Sequence, residues 1–217
     1  MHLPPDLVIF DCDGVLVDSE PITNRVVQAN LAGYGLQLTQ EETVAQFVGG
    51  TMKGVMERAI ALGADLPDTW LDEIYSAMFA ALATDVDVIP GVPEMLDRLD
   101  GAGILVAVGS NGPHAKMDIT LERTGLLPRF AGKIVSHQDV PQAKPAPDVY
   151  LEAARRSGVV PARAVVVEDS VSGAKAGKAA GMFTLGYAAD TDPAKLAPIC
   201  DVVFQDMSAL PGLLGLK

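Results

Sequence analysis

Short runs of Val, Ile and Leu return along the chain at residues 7–10, 104–108, 134–135, 164–167, 182–185 and 202–204, separated by segments long enough for a helix. A strand that is apolar at every position has both faces covered, which happens in parallel sheets with helices packed on each side. The alternation predicts an α/β fold, a Rossmann-like parallel sheet flanked by helices. Right-handed crossovers then carry the C-terminal ends of the strands to one edge. With 217 residues, 49% of them apolar, there is material for one core of ordinary size and a smaller appendage.

The appendage is expected between residues 21 and 83, where helical periodicity runs on without a strand. Met52, Val55, Met56, Ala59 and Ile60 form one apolar stripe, and Leu71, Ile74, Tyr75, Met78, Phe79 and Leu82 form another; both read as the core of a helical bundle. Thr39 followed by Glu42 reads as a capping box opening a further helix. The predicted organisation is a core made of residues 1–17 and 86–217, with an inserted helical cap over residues 18–85 and a hinge at its two crossings.

Charge narrows the partners. Sixteen Lys and Arg against 28 Asp and Glu leave a net −12, which argues against nucleic acid and against an anionic membrane. The two cysteines, Cys12 and Cys200, are too few for a disulfide scaffold or a metal cluster, and a reducing cytoplasm fits them best. No apolar run approaches the length of a membrane span, and the first strand begins at Leu7, so the mature chain is expected to start near Met1.

Chemistry gathers where the strands end. In LVIFDCDGVLVDSE, residues 7–20, the first strand runs into a glycine turn carrying Asp11 and Asp13, whose alternate spacing turns both carboxylates to one side. Cys12 between them should point the other way, into the core. Ser110, Asn111 and Gly112 follow VAVG, Lys144 lies in AKPAPDVY, and Glu168 and Asp169 follow AVVV. All belong to the sheet edge at which open parallel sheets bind ligands. Each has a plain structural reading as well, a polar turn or a helix cap, and it is their joint occurrence in order that speaks for a site.

Taken together, DCDGVLVDSE, SNG, KPAPDVY and EDSVSGAKAGKAAGM resemble the haloacid dehalogenase superfamily over the whole chain, in its magnesium-dependent phosphatase and phosphomutase branch with a helical cap. The resemblance implies that Asp11 is the nucleophile that takes the phosphoryl group as an aspartyl-phosphate. A carboxylate about 4 Å from a phosphate dianion meets a repulsion of ~8 kcal/mol at an effective dielectric of ~20, so cations must cancel it. Mg²⁺ suits the task, being hard and oxygen-seeking. Asp11 and Asp169 are the implied side-chain ligands, with Asp13 giving its backbone carbonyl and Glu168 helping directly or through a water. Asp13 would also protonate the leaving alcohol and then deprotonate the hydrolytic water. Ser110 and the amides of Asn111 and Gly112 would cradle phosphoryl oxygens, and Lys144 would supply positive charge on a loop stiffened by Pro145 and Pro147. His114 and Lys116, just past that cradle, could reach substrate, but solvent-facing helix positions are the favoured reading.

The expected substrate is a small-molecule phosphate ester, handled by a monomer or weak homo-oligomer. The segment SNGPHAKM resembles phosphatases of small phosphosugars and phosphosugar acids, the 6-phosphogluconate type included. In the cap, FVGGTMKGVMERA makes Gly50, Thr51 and Lys53 candidate substrate contacts, although a glycine-rich approach to a helix explains them equally well. A β-phosphoglucomutase-type mutase is the rival. The chain departs from that pattern with Thr23 where the mutase carries histidine, Met52 where it carries arginine, and no lysine between residues 54 and 83. A non-catalytic phosphosugar-binding protein is disfavoured by Asp13, whose charge would only repel a bound phosphate.

Overall fold

The computed structural model describes residues 4–47 and 51–216. In chain order the elements are β1 (Leu7–Phe10), β2 (Val17–Asp18), α1 (Glu20–Gly33), α2 (Gln40–Phe47), α3 (Met52–Ala61), α4 (Trp70–Asp85), β3 (Asp87–Val88), α5 (Val92–Gly101), β4 (Leu105–Ser110), α6 (His114–Arg123), β5 (Ile134–Ser136), α7 (Asp148–Arg156), β6 (Ala164–Glu168), α8 (Val171–Ala179), β7 (Phe183–Tyr187), α9 (Pro193–Leu196), β8 (Val202–Phe204) and α10 (Leu210–Leu213). They fall into two compact units, Met1–Asp18 with Asp87–Lys217, and Ser19–Val86.

In the first unit, six strands form one parallel sheet in the order β5-β4-β1-β6-β7-β8. The all-apolar strands are covered on both faces, as expected: Leu7, Val8, Ile9 and Phe10 have no solvent exposure. One cluster joins Leu7, Ile9, Ala107, Val135 and Val166 of the sheet to Val149, Tyr150, Ala153 and Ala176 of α7 and α8. The chain leaves β1 toward β4 on one side and returns through β6 on the other, making the C-terminal end of β1 a topological switch point. Among the described residues no helix is long and apolar enough to cross a membrane.

The second unit is a helical bundle with its own core of Val27, Leu31, Phe47, Val55, Ala59, Trp70, Ile74 and Met78. Thr39 and Glu42 cap α2 reciprocally, the Glu42 N–H donating to Thr39 Oγ1 at 3.1 Å and the Thr39 N–H to Glu42 Oε2 at 2.8 Å. Two stripe members are exposed, Ile60 at 48% and Tyr75 at 38%. The buried edge of α4 follows a four-residue step through Trp70, Ile74, Met78 and Leu82, and Tyr75 stands one position off it. The sequence pattern also lacks any sign of β2 and β3, which pair antiparallel with Val17 opposite Val88 and Asp18 opposite Asp87.

Candidate active site

Register brings the site together. Phe10 stands level with Val108 of β4 on one side and with Val167 of β6 on the other. One step further along, the Asp11 N–H donates to the Val167 carbonyl at 3.0 Å. The residues leaving β1, β4 and β6 therefore emerge side by side: Asp11 to Asp13, Ser110 to Gly112, and Glu168 with Asp169.

Lys144 reaches this edge from the loop before α7, and its anchor is Asn111. The Lys144 N–H donates to Asn111 Oδ1 at 2.9 Å, while Asn111 Nδ2 donates to the Lys144 carbonyl at 3.2 Å. Two bonds of opposite sense lock one loop's side chain to the other loop's backbone. The ammonium is then shared, with Lys144 Nζ 2.9 Å from Asp11 Oδ1 and 2.7 Å from Glu168 Oε1. It also lies 4.7 Å from the centroid of the Tyr150 ring. Burial works against the charge on Lys144, but Asp11 and Glu168 outweigh it and hold the ammonium above the ordinary lysine range.

Glu168 is fully buried, and its oxygens are occupied by the protein. Oε1 accepts from Lys144 Nζ and from the Tyr150 hydroxyl at 2.8 Å; Oε2 accepts from the Ser170 N–H and Oγ, each at 2.9 Å. A carboxylate offers about four acceptor positions, so these four bonds use them all. Glu168 thus serves as counter-charge for Lys144 while remaining one of the three carboxylates that could hold a metal ion. Burial works to raise its carboxyl, but Lys144, Ser170 and Tyr150 hold it below the ordinary value. The close approach depends on Gly173 of α8, where a Cβ would stand 1.6 Å from Glu168 Oε1.

Asp11, Glu168 and Asp169 each offer an oxygen within 4.8 Å of the others. Lys144 neutralises only one charge of the Asp11–Glu168 pair. Burial, with Glu168 and Asp13 adding repulsion against the pull of Lys144, pushes the Asp11 carboxyl up to about 6. A second cation beside Asp11 would relieve that strain, and the donors are hard oxygens of the kind Mg²⁺ takes. Asp169 is seated toward the first turn by Gly14, whose φ of 73° and bare Cα make room: a Cβ there would stand 2.2 Å from Asp169 Oδ2. The residues present fit a divalent ion held by the carboxylates of Asp11 and Asp169.

Ser110 is buried, and its Oγ accepts from the Gly112 N–H at 3.0 Å, while Ser136 Oγ donates to the Gly112 carbonyl at 2.7 Å. The Gly112 amide thus bonds the Ser110 hydroxyl, keeping Ser110 and Gly112 together in one turn. Cys12 is buried as expected, and burial followed by the charges of Asp13 and Asp11 pushes its thiol up, away from nucleophilic use.

Lys116 departs from expectation. It is not solvent-facing: its side chain is 16% exposed, and Nζ bonds Asp13 Oδ1 at 2.8 Å. Burial works against its charge, but Asp13 prevails and holds the ammonium above the ordinary range. Neither this pair nor the part of Tyr150 is visible in the sequence; Tyr150 ends the KPAPDVY segment, and that is the available signal. His114 is partly exposed and bonds Asp139 at 2.9 Å. In the bundle, Thr51 caps α3 by accepting from the Gly54 N–H at 3.2 Å, and Lys53, well exposed, lies 4.0 Å from Glu57. Gly50 lies outside the described residues.

The family model for haloacid dehalogenase-like hydrolases matches residues 5–181. The 6-phosphogluconate phosphatase of Escherichia coli K12 is 30% identical over 210 residues, covering 96% of this chain and 94% of its own. Among solved structures, a conserved haloacid dehalogenase-like protein from Agrobacterium tumefaciens C58 superposes with a TM-score of 0.85 at 35% identity, covering 97% of each chain. A HAD family hydrolase from Deinococcus radiodurans R1, solved with bound phosphate and sodium, does so at 0.84 and 34%, over 99% of this chain and 96% of its own. A strand-end Asp-x-Asp beside a shared lysine, on a parallel sheet with a helical insertion, and similarity spanning nearly the full length lead to one assignment: the chain belongs to the haloacid dehalogenase-like hydrolases.

Proposed function

We propose that this protein is a Mg²⁺-dependent phosphatase that hydrolyses small phosphorylated sugars or sugar acids through an aspartyl-phosphate, acting in the cytoplasm on a small-molecule partner. One observation carries the reading. The two carboxylates of the Asp-x-Asp turn are treated differently by their surroundings: Asp11 faces the buried Lys144, and Asp13 faces Lys116. Two carboxylates in separate environments are what a nucleophile and an acid/base need.

In this reading Asp11 attacks phosphorus with the oxygen not bound to Lys144, and the alcohol leaves. Lys144 screens the approach of two anions and stays in place because Glu168 and Asn111 hold it from two sides. Ser110, fixed by Gly112, presents its hydroxyl to a phosphoryl oxygen, and Asn111 sets the distance between the two loops. Mg²⁺, held by Asp11 and Asp169 with the Asp13 carbonyl, would supply positive charge against the phosphoryl oxygens. Asp13 enters the first step carrying a proton on the oxygen not bonded to Lys116, passes it to the leaving oxygen, and then takes a proton from the water that attacks the aspartyl-phosphate and releases phosphate. The substrate class draws support from the similarity to the E. coli 6-phosphogluconate phosphatase.

Asp11→Asn should abolish turnover with Mg²⁺ present while circular dichroism remains that of the parent; comparable turnover by the two would overturn the assignment. To set hydrolysis against phosphoryl return, the protein is incubated with β-glucose 1-phosphate and a bisphosphate primer. Free phosphate as the main product supports the phosphatase, and predominant glucose 6-phosphate supports the mutase.

A further inference from the structure

Lys116 occupies a position that is unfavourable twice over. It stands in the first turn of α6, where the aligned peptide dipoles favour negative groups. Its side chain is also largely withdrawn from water, which an ammonium tolerates only with a bonded counter-charge. Asp13 provides it at 2.8 Å.

The helix that carries Lys116 is a rigid support. Met117, Thr120 and Leu121 of α6 have no solvent exposure, and Thr120 Oγ1 lies 3.9 Å from Cys12 Sγ, between the two aspartates. Asp13 Oδ1 holds the ammonium, and its Oδ2 lies 3.7 Å from the point a Cβ on Gly112 would occupy. The carboxylate is stretched between Lys116 and the Ser110–Gly112 turn, where the phosphoryl group would be received. Lys144, the competing ammonium, is engaged by Asp11 and Glu168.

We infer that Lys116 is a positioning residue for leaving-group protonation: it acts through Asp13, fixing that carboxylate beside the Ser110 turn and apart from Lys144. This rests on the proposed acid/base role of Asp13. Lys116 itself need touch neither substrate nor metal. Its service matters only where the departing oxygen needs a proton, so its loss should depend on the leaving group.

The test compares kcat/KM, with Mg²⁺ present, for p-nitrophenyl phosphate, whose phenolate departs unaided, and for the better turned over of glucose 6-phosphate and 6-phosphogluconate, whose alkoxide does not. Lys116→Met should lower the alkyl ester by about 10- to 100-fold and the aryl ester by no more than about threefold, the scale of a misplaced catalytic group. Lys116→Arg, which keeps charge and donor, should lie closer to the parent than Lys116→Met on the alkyl ester. Asp13→Asn, the reference, should show the same selectivity more strongly. Equal losses on both esters in Lys116→Met, or none, beside a selective Asp13→Asn, would overturn the inference and leave the acid/base role standing. A non-selective Asp13→Asn would instead remove the acid/base role itself. Should circular dichroism show Lys116→Met to be unfolded, Lys116→Gln takes its place: a selective loss on the alkyl ester supports the positioning role, and an equal loss or none overturns it.

Discussion

Gly173→Ala sets two physical effects of opposite sign against each other. In a helix interior, alanine in place of glycine stabilises by about 1 kcal/mol through backbone entropy alone. Here the added Cβ would stand 1.6 Å from Glu168 Oε1, 1.9 Å from Cδ and 2.5 Å from Oε2. Ordinary contact begins near 3.4 Å, so the carboxylate must withdraw by roughly 1.8 Å, the difference between 3.4 and 1.6 Å. That exceeds the slack of bonds measuring 2.7 Å to Lys144, 2.8 Å to Tyr150 and 2.9 Å to Ser170. Breaking a buried ion pair costs about 3–5 kcal/mol, which leaves a net loss of about 2–4 kcal/mol after the helix term. Urea denaturation followed by far-UV circular dichroism should show that loss. Turnover should fall about 100-fold or more, because the Lys144 ammonium shifts with its counter-charge. A variant as stable as the parent, or more so, would refute the reasoning and mean that Glu168 relaxes without penalty.

Gly14→Ala combines a φ of 73° with a Cβ only 2.2 Å from Asp169 Oδ2, so it should weaken Mg²⁺ binding by at least about tenfold, read by titration calorimetry; unchanged affinity would contradict the placement of Asp169. The Asp11 carboxyl, raised from 3.8 to about 6, favours the folded state only while protonated: the contribution is whole below about pH 3.8 and lost as pH rises through about 6. Without metal, this group alone should remove about 3 kcal/mol between those limits, and Asp11→Asn should lack that component. Mg²⁺ should accordingly raise the melting temperature more at pH 7.5 than at pH 5, and an equal effect at both would count against it. Tyr150→Phe removes one donor from buried Glu168 and should cost about 1–3 kcal/mol in stability; a neutral result would show that the hydroxyl is dispensable.

The sheet is legible in the sequence because a parallel strand buried on both faces reads as an unbroken apolar run, and the runs at residues 7–10 and 202–204 coincide with the bounds of their strands. The capping box over Thr39 and Glu42 is legible because its two bonds require fixed residue types at fixed spacing. β2 and β3 are not, since two-residue strands carry no period. Asp11, Ser110 and Asp169 emerge at neighbouring strand ends because motif order and parallel register imply as much, and Lys144 joins Asp11 from the loop before α7. Lys116 escapes a sequence reading because one lysine in a polar first turn looks solvated, and only the packing of α6 against Cys12 turns it inward. The bonds that Glu168 accepts from Lys144, Tyr150 and Ser170 are not legible, because no spacing encodes their distances.

Phosphorylation of Asp11 is the step on which the proposed chemistry depends, and chemical trapping tests it most directly. Asp13→Asn, slowed in releasing phosphate, is mixed with Mg²⁺ and p-nitrophenyl phosphate, whose phenolate needs no proton to depart, then quenched, reduced with borohydride and mapped by peptide mass spectrometry. The predicted result is homoserine at position 11, lost when Asp11→Asn is added to the variant. Reduction at any other residue, or turnover with position 11 unmodified, would contradict it.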